Sequence, residues 1–298
     1  MSERVNVNGV VTPPGEARIS PLDRGFLFGD SVYETIRTYA GRPFRLGEHL
    51  ERLRRSAERL GIPHEKTPVD VEAEVRRTLA EAANPESAVR VVLSRGVGPV
   101  GYDPAGAGPP TCVVFVRPLA PSPAAWRREG VDVAVVGVTR NAVTALDPAI
   151  KSSNLLNNYL AWSEATRLGA WEAIQVNAAG RLTEGSSSNL FIVRGRRLAT
   201  PPPEDGILLG ITRDLALDLA RREGIPAAQT SIGPEDLREA DEAFLTSTLK
   251  GILPVRRCDG WPIRDGRPGP VTRRLMDRFE ALVQEETKAG SDPGSSLR

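Results

Sequence analysis

Lys151-Ser152-Ser153-Asn154-Leu155-Leu156 is the stretch on which the reading turns, because of two blocks that follow it. These are Leu182-Thr183-Glu184-Gly185-Ser186-Ser187-Ser188-Asn189-Leu190-Phe191 and Gly210-Ile211-Thr212-Arg213. A lysine amine can form an imine with an aldehyde, and a carboxylate can hold a ring nitrogen protonated. A turn that leads into a helix offers backbone N–H groups to a phosphate. No one part is diagnostic; their wording and order together are.

Outward from these blocks, hydrophobic spacing outlines the elements. Leu50, Leu53, Ala57 and Leu60 predict a helix over 47–60, ended by Gly61-Ile62-Pro63, and Val71, Val75, Leu79 and Ala82 predict a second. The β-rich runs 89–93 and 111–116 are expected to pair, and 5–9 to open the chain as a strand. Pro118-Leu119-Ala120-Pro121-Ser122-Pro123 is the best linker candidate. Beyond it, strands are expected at 131–138, 173–176, 190–193 and 243–246, and helices at 155–168, 211–222 and 271–286. The division is therefore a small N-terminal α/β domain at 1–117, a linker at 118–125, a larger domain at 126–286 and a disordered Gly/Ser-rich tail at 287–298.

Composition narrows the function classes. A chain of 298 residues with 26% charged residues and a formal net charge of +1 is ordinary for a globular protein and lacks the basic excess of a nucleic-acid binder. No apolar run approaches the roughly 20 residues that span a bilayer, and no apolar segment follows Met1-Ser2-Glu3-Arg4 to make a signal peptide. Two isolated cysteines, Cys112 and Cys258, and two histidines form neither a disulfide framework nor a metal site, so no metal is expected and a reducing cytoplasm is the default. Gly96-Val97-Gly98-Pro99-Val100-Gly101 fits a dinucleotide pattern, but Tyr102-Asp103-Pro104-Ala105-Gly106 cannot open the helix that such a site requires. Gly29-Asp30-Ser31 hints at a serine hydrolase, yet neither His49 nor His64 stands in a triad context.

Asp23-Arg24-Gly25-Phe26-Leu27-Phe28-Gly29-Asp30-Ser31-Val32-Tyr33-Glu34-Thr35-Ile36-Arg37 reads by itself as a loop followed by a strand. Together with His49-Leu50-Glu51-Arg52-Leu53, the blocks above and Thr246-Ser247-Thr248, it resembles the fold-type IV pyridoxal-phosphate enzymes. These are the class IV aminotransferases: branched-chain and D-amino-acid aminotransferases, (R)-amine transaminases and aminodeoxychorismate lyases. The resemblance covers residues 5–286 in consistent order. It implies a two-domain α/β (α+β) fold like that of D-amino-acid aminotransferase, pyridoxal 5'-phosphate as coenzyme, and a homodimer.

Position by position, the resemblance makes Lys151 the Schiff-base lysine and proton carrier, and Glu184 the partner of the pyridine nitrogen. It makes Arg52 a phosphate ligand, whose forked guanidinium suits a dianion, and adds Ile211, Thr212, Ser247 and Thr248 to the phosphate site. Leu208 aligns with the residue packed on one face of the ring, and Tyr33 and Leu249 with positions lining the substrate site. Each has a plainer reading: a surface lysine, a turn glutamate, a solvated arginine beside Arg54, Arg55 and Arg59, a core leucine, a core aromatic. Asn189 reads as a loop-shaping residue through its amide, and Arg140 as a partner near the lysine.

The subfamily signals divide. The Tyr-x-Arg of branched-chain enzymes is missing around Arg90-Val91-Val92, and the Arg-x-His of D-amino-acid enzymes is replaced by Val100-Gly101-Tyr102. Arg90, Arg95 and Tyr102 are the substitutes considered for a substrate carboxylate. Residues 90–96 resemble the same strand in aminodeoxychorismate lyases, whereas residues 151–156 and 32–34 resemble the transaminases. The expected reaction is transfer of an amino group from an amino acid or primary amine to a 2-oxo acid. The alternative is release of pyruvate and 4-aminobenzoate from 4-amino-4-deoxychorismate, and outside enzymes a relative that binds the coenzyme without turnover.

Overall fold

The computed structural model describes residues 2–288. Apart from Thr287 and Lys288, the tail expected at 287–298 lies outside them. The chain divides into two units, each a sheet covered by helices. Of the described residues, one comprises 2–120, 150–154 and 286–288; the other comprises Pro121–Ala149 and Leu155–Glu285.

The first unit contains β1 (Arg4–Val7), β2 (Val10–Thr12), β3 (Ser31–Tyr39), β4 (Arg42–Pro43), β5 (Ser87–Ser94) and β6 (Thr111–Pro118), with α1 (Arg24–Phe28), α2 (Leu46–Arg59) and α3 (Val71–Ala82). Its sheet is antiparallel in the order β2-β1-β6-β5-β3-β4. Side chains alternate between faces along a strand. Val32 and Ile36 of β3, Val89, Val91 and Leu93 of β5, and Cys112, Val114 and Val116 of β6 therefore share one face, in a core with Leu53 and Ala57 of α2 and Val75 of α3. The same parity sends Tyr33 and Arg90 to the opposite face, where Tyr33 pairs with Val92 and Arg90 with Thr35. Residues 24–28, expected as loop, form a short helix because Asp23 caps Gly25 N–H and Gly29 ends it at φ 65°.

The second unit contains α4 (Ala124–Glu129), β7 (Val131–Val135), α5 (Leu156–Arg167), β8 (Glu172–Val176), β9 (Leu182–Gly185), β10 (Asn189–Arg194), β11 (Arg197–Thr200), α6 (Ile211–Arg222), β12 (Ala227–Gln229), α7 (Pro234–Arg238), β13 (Glu242–Ser247), β14 (Gly251–Cys258), β15 (Trp261–Pro262) and α8 (Pro270–Thr287). Its strand order is β12-β11-β10-β13-β14-β7-β8-β9. β9 also returns to pair with β10 at Glu184 and Asn189, closing the path on itself. The core beneath is built from Val131, Val133, Ile174, Leu190, Ile192, Leu245, Leu253 and Val255.

The larger domain is not the continuous run 126–286 expected from the sequence. Residues 150–154 cluster with the first unit because they extend its sheet. β4 covers only the far end of β3, at Thr38 and Tyr39. The near end takes Tyr33 N–H to Lys151 O (2.9 Å), Ser153 N–H to Ser31 O (2.9 Å) and a bridge between Val32 and Ser152. An unpaired strand edge is thereby satisfied. Among the described residues no helix is long and apolar enough to cross a membrane, and no three His, Cys, Asp or Glu residues gather as metal ligands.

Candidate active site

Lys151 sits where strand pairing to β3 fixes its backbone, and its own N–H donates to Ser56 Oγ of α2 (3.2 Å). Its Nζ lies 4.6 Å from the centre of the Tyr33 ring. Among the described residues no carboxylate pairs with that amine. The Arg90 guanidinium carbon stands 3.9 Å from the centre of the same ring. Arg90 is half-buried, burial pulls its pKa below the usual arginine value, and it has no carboxylate partner among the described residues. Tyr33 is thus flanked by two cations, each a good contact for an aromatic face.

On the helix side of β3 lies a buried charged cluster whose acid, Glu34, the sequence reading did not single out. Glu34 Oε1 accepts from Arg52 Nε (2.6 Å), and Oε2 accepts from Arg52 Nη2 (2.9 Å) and lies 2.8 Å from His49 Nδ1. Burial pushes the Glu34 carboxyl up, but the Arg52 charge and the bonds from His49 and Arg52 outweigh it and bring the pKa to about 2. Burial, helped by the charges of Arg52 and Lys151, also lowers the His49 pKa despite the opposing pull of Glu34. The imidazole is therefore neutral near pH 7, with Nδ1–H donating to the carboxylate. The signal available in sequence was an acid inside the alternating run Val32-Tyr33-Glu34-Thr35-Ile36, one residue type out of place on a core face.

Arg95 is tied up within the fold. It donates from Nε and Nη2 to Asp30, from Nη2 to Leu60 O and from Nη1 to Gly61 O. Four of its five N–H groups are spent on Asp30 and the carbonyls of residues 60–61, so it is not carried forward as a carboxylate ligand. Arg24 grips Asp30 from the other side and donates to the carbonyls of Gly101 and Tyr102. Tyr102 itself is 89% exposed.

In the second unit Glu184 is surrounded by donors. Arg140 Nη2 donates to Oε1 (2.6 Å), and Oε2 accepts from Asn189 Nδ2 (3.1 Å) and from Leu208 N–H (2.9 Å). Arg140 is steadied in turn by Asn158 (3.2 Å), which also donates to Ser186 O (2.8 Å). Asn189 makes a second bond to Leu208 O (2.8 Å). Its loop-shaping role therefore extends to holding the carboxylate, and Leu208 acts on Glu184 through its backbone. Below this turn the buried Glu172 accepts from the hydroxyls of Ser186, Ser187 and Ser188. That acid was also missed, although it interrupts an apolar strand.

α6 opens three residues beyond Leu208 with Gly210 as cap, which makes no side-chain cap bond. Ile211 is half-buried and Thr212 buried there. Gly210 is required by crowding: a Cβ would land on Asn189 Oδ1. Ser247 ends β13, and half-buried Thr248 and Leu249 form the turn into β14. Thr246, just before them, has a buried hydroxyl with no partner among the described residues.

The comparisons agree with one another. The sequence model of the family described as amino-transferase class IV matches residues 31–258. The D-alanine aminotransferase of Staphylococcus aureus (strain MW2) is 35% identical over 287 residues, covering 96% of this chain and 99% of its own. The branched-chain amino acid aminotransferase of Escherichia coli superposes with a TM-score of 0.90 at 30% identity, over 98% of each chain. A third relative, the T.th. branched-chain amino acid aminotransferase solved with pyridoxamine 5'-phosphate, superposes with a TM-score of 0.89 at 28% identity, over 97% of this chain and 96% of its own. With more than half its length matched, and relatives that cover it end to end, the chain belongs to the class IV aminotransferases and is an enzyme of that family.

Proposed function

We propose that this aminotransferase works with pyridoxal 5'-phosphate held covalently by Lys151, and passes an amino group from an amino acid to a 2-oxo acid. The observation that carries the reading is the state of Lys151: its backbone is pinned by β3, its amine rests against Tyr33, and no carboxylate claims it among the described residues. A lysine without a counter-ion is the form from which an amine nucleophile is generated. The remaining residues suit the coenzyme. Glu184 offers a fully positioned carboxylate to a ring nitrogen. The uncapped first turn of α6 at Ile211 and Thr212, with Ser247 and Thr248, suits a phosphate. The T.th. relative carries the amine form of this coenzyme. When bound, pyridoxal phosphate supplies an aldehyde for the amine and a ring that draws electrons from the bond to be broken.

Within that frame Lys151 Nζ carries the proton between carbon centres, and Arg52 holds phosphate. Arg90, beside Tyr33 and without an acid partner among the described residues, binds a substrate carboxylate, with Leu249 lining the same substrate. The donor is a D-amino acid or a branched-chain amino acid, a reading supported by relatives named for D-alanine and for branched-chain amino acids. We also propose a cytoplasmic homodimer. Two buried free thiols suit a reducing compartment, and α5 presents exposed Leu156, Tyr159, Leu160 and Trp162 as an apolar face.

Borohydride reduction followed by peptide mapping tests the covalent assignment, with the label expected on Lys151; a label on another residue refutes it. A donor panel of D-alanine, L-leucine, (R)-1-phenylethylamine and 4-amino-4-deoxychorismate sorts the substrate. Pyruvate and 4-aminobenzoate from the last, with no amino transfer from the others, would replace transamination by the lyase reaction.

A further inference from the structure

We infer that Glu34 is a positioning residue for the coenzyme phosphate, acting through Arg52. The inference rests on the reading of Arg52 as a phosphate ligand and adds the group that aims it.

Glu34 stands on β3 with its backbone paired to Val91 of β5, so its carboxylate cannot drift with a loop. Both oxygens engage the Nε and Nη2 edge of Arg52 side-on, at 2.6 and 2.9 Å. A two-point grip fixes the plane of a guanidinium as well as its position. His49 closes the back of the carboxylate at 2.8 Å, and Thr35 N–H is a fourth donor to the carboxylate, at Oε2 (3.1 Å). Glu34 is wholly buried and Arg52 nearly so, a setting in which an ion pair contributes little net stability and is retained for what it orders. Half of the pair is already placed by the fold before any ligand arrives. The segment that pairs with Tyr33 carries Lys151, so one strand positions the holder of Arg52 and the reactive amine in neighbouring residues.

Glu34→Gln is nearly isosteric but turns an amide N–H₂ toward donors, so one edge of the grip must open. Two ligands then separate a phosphate effect from a general one: pyridoxal 5'-phosphate, and pyridoxal, which has the same aldehyde and no phosphate. Each is titrated into full-length protein and followed by the yellow absorbance band and tryptophan quenching. Glu34→Gln is expected to weaken the phosphate-bearing form by about tenfold, the scale of one charge-assisted hydrogen bond, and to leave pyridoxal unchanged. Equal weakening of both ligands, or of neither, overturns the proposal. Should Glu34→Gln alone not fold, Arg52→Gln is compared with the double variant Arg52→Gln/Glu34→Gln, which strands no buried charge. Once Arg52 is gone Glu34 has nothing to aim, so the two are expected to match; a further loss in the double variant refutes the assignment. Absence of any covalent adduct at Lys151 in the parent protein is a different failure, that of the underlying reading.

Discussion

Each unit buries a carboxylate against an arginine, and the two pairs are arranged in opposite senses. In the first unit Glu34 is the deeper partner, wholly enclosed by β3 and α2, and Arg52 reaches outward from a helix. In the second unit Arg140 is braced from behind by Asn158, and Glu184 is the group that the proposed function turns to the coenzyme, with Asn189 and the Leu208 amide fixing its other oxygen. In the proposed site one cluster offers a cation, the other an anion. The physical lesson is that a charge meant for a ligand is first oriented by an opposite charge, which restricts its rotamers and lowers the cost of burying it. Which member faces the ligand depends on which one the backbone locks.

The largest expected effect comes from removing the amine on which the proposed chemistry of both clusters depends. Lys151→Ala should retain its fold, since its contacts to β3 are made by backbone, and should show no borohydride-fixed coenzyme and no measurable transamination; residual turnover near the parent rate would break the shared assignment. Glu184→Gln tests the presented anion. Loss of one oriented charge at a reacting group is worth about 100- to 1,000-fold in kcat, and a steady-state loss below about threefold would place Glu184 among structural residues.

Acid titration compares the holder of the other pair. The Glu34 carboxyl falls from 4.5 to about 2 on folding. A depressed carboxyl stabilises the fold above its unfolded pKa, and that stability is lost as pH falls through the folded value. Roughly 3 kcal/mol should therefore disappear between about pH 4.5 and 2. Glu34→Gln should flatten this part of the unfolding-versus-pH curve relative to the parent; identical slopes would mean that the pair is not linked to folding. Arg90→Gln, with no acid partner lost, should raise KM for 2-oxo acids by about tenfold or more while changing kcat little. If kcat fell and KM stayed, Arg90 would belong to the chemistry rather than to carboxylate binding. The smallest effect is expected from Gly210→Ala, where the added methyl displaces Asn189. A cost of about 1–3 kcal/mol in thermal unfolding, with weaker coenzyme retention, would sharpen the role of Asn189 behind Glu184.

Much of this architecture was legible from patterning. Alternation in 89–93 and 111–116 marked β5 and β6 and their pairing, and helical spacing marked α2, α3, α5, α6 and α8 within a residue or two. α1 was read as loop because five residues give too short a period to detect, and its Asp23 cap and Gly29 terminus were the only cues. β14 went unmarked, since Gly251 and Pro254 interrupt its apolar run. Among the proposed site residues, those in distinctive wording stood out in the sequence: Lys151, Glu184, Arg52 and the Gly210 turn. Arg95 looked available and is not, because Asp30 and the carbonyls of residues 60–61 lie far from it in sequence.

The linear order of residues by itself determined the chemistry at hand, since reactive groups keep their nature wherever they lie: an amine at 151, a carboxylate at 184, a helix start at 211. Tertiary structure alone decided which charge holds and which is held. Glu34 and Arg52 are 18 residues apart and Arg140 and Glu184 are 44 apart, and neither periodicity nor wording encodes such a pairing. It also decided that residues 150–154 complete the sheet of the first unit. A strand edge accepts whichever segment brings it hydrogen bonds, and only the folded chain delivers Lys151 to that edge.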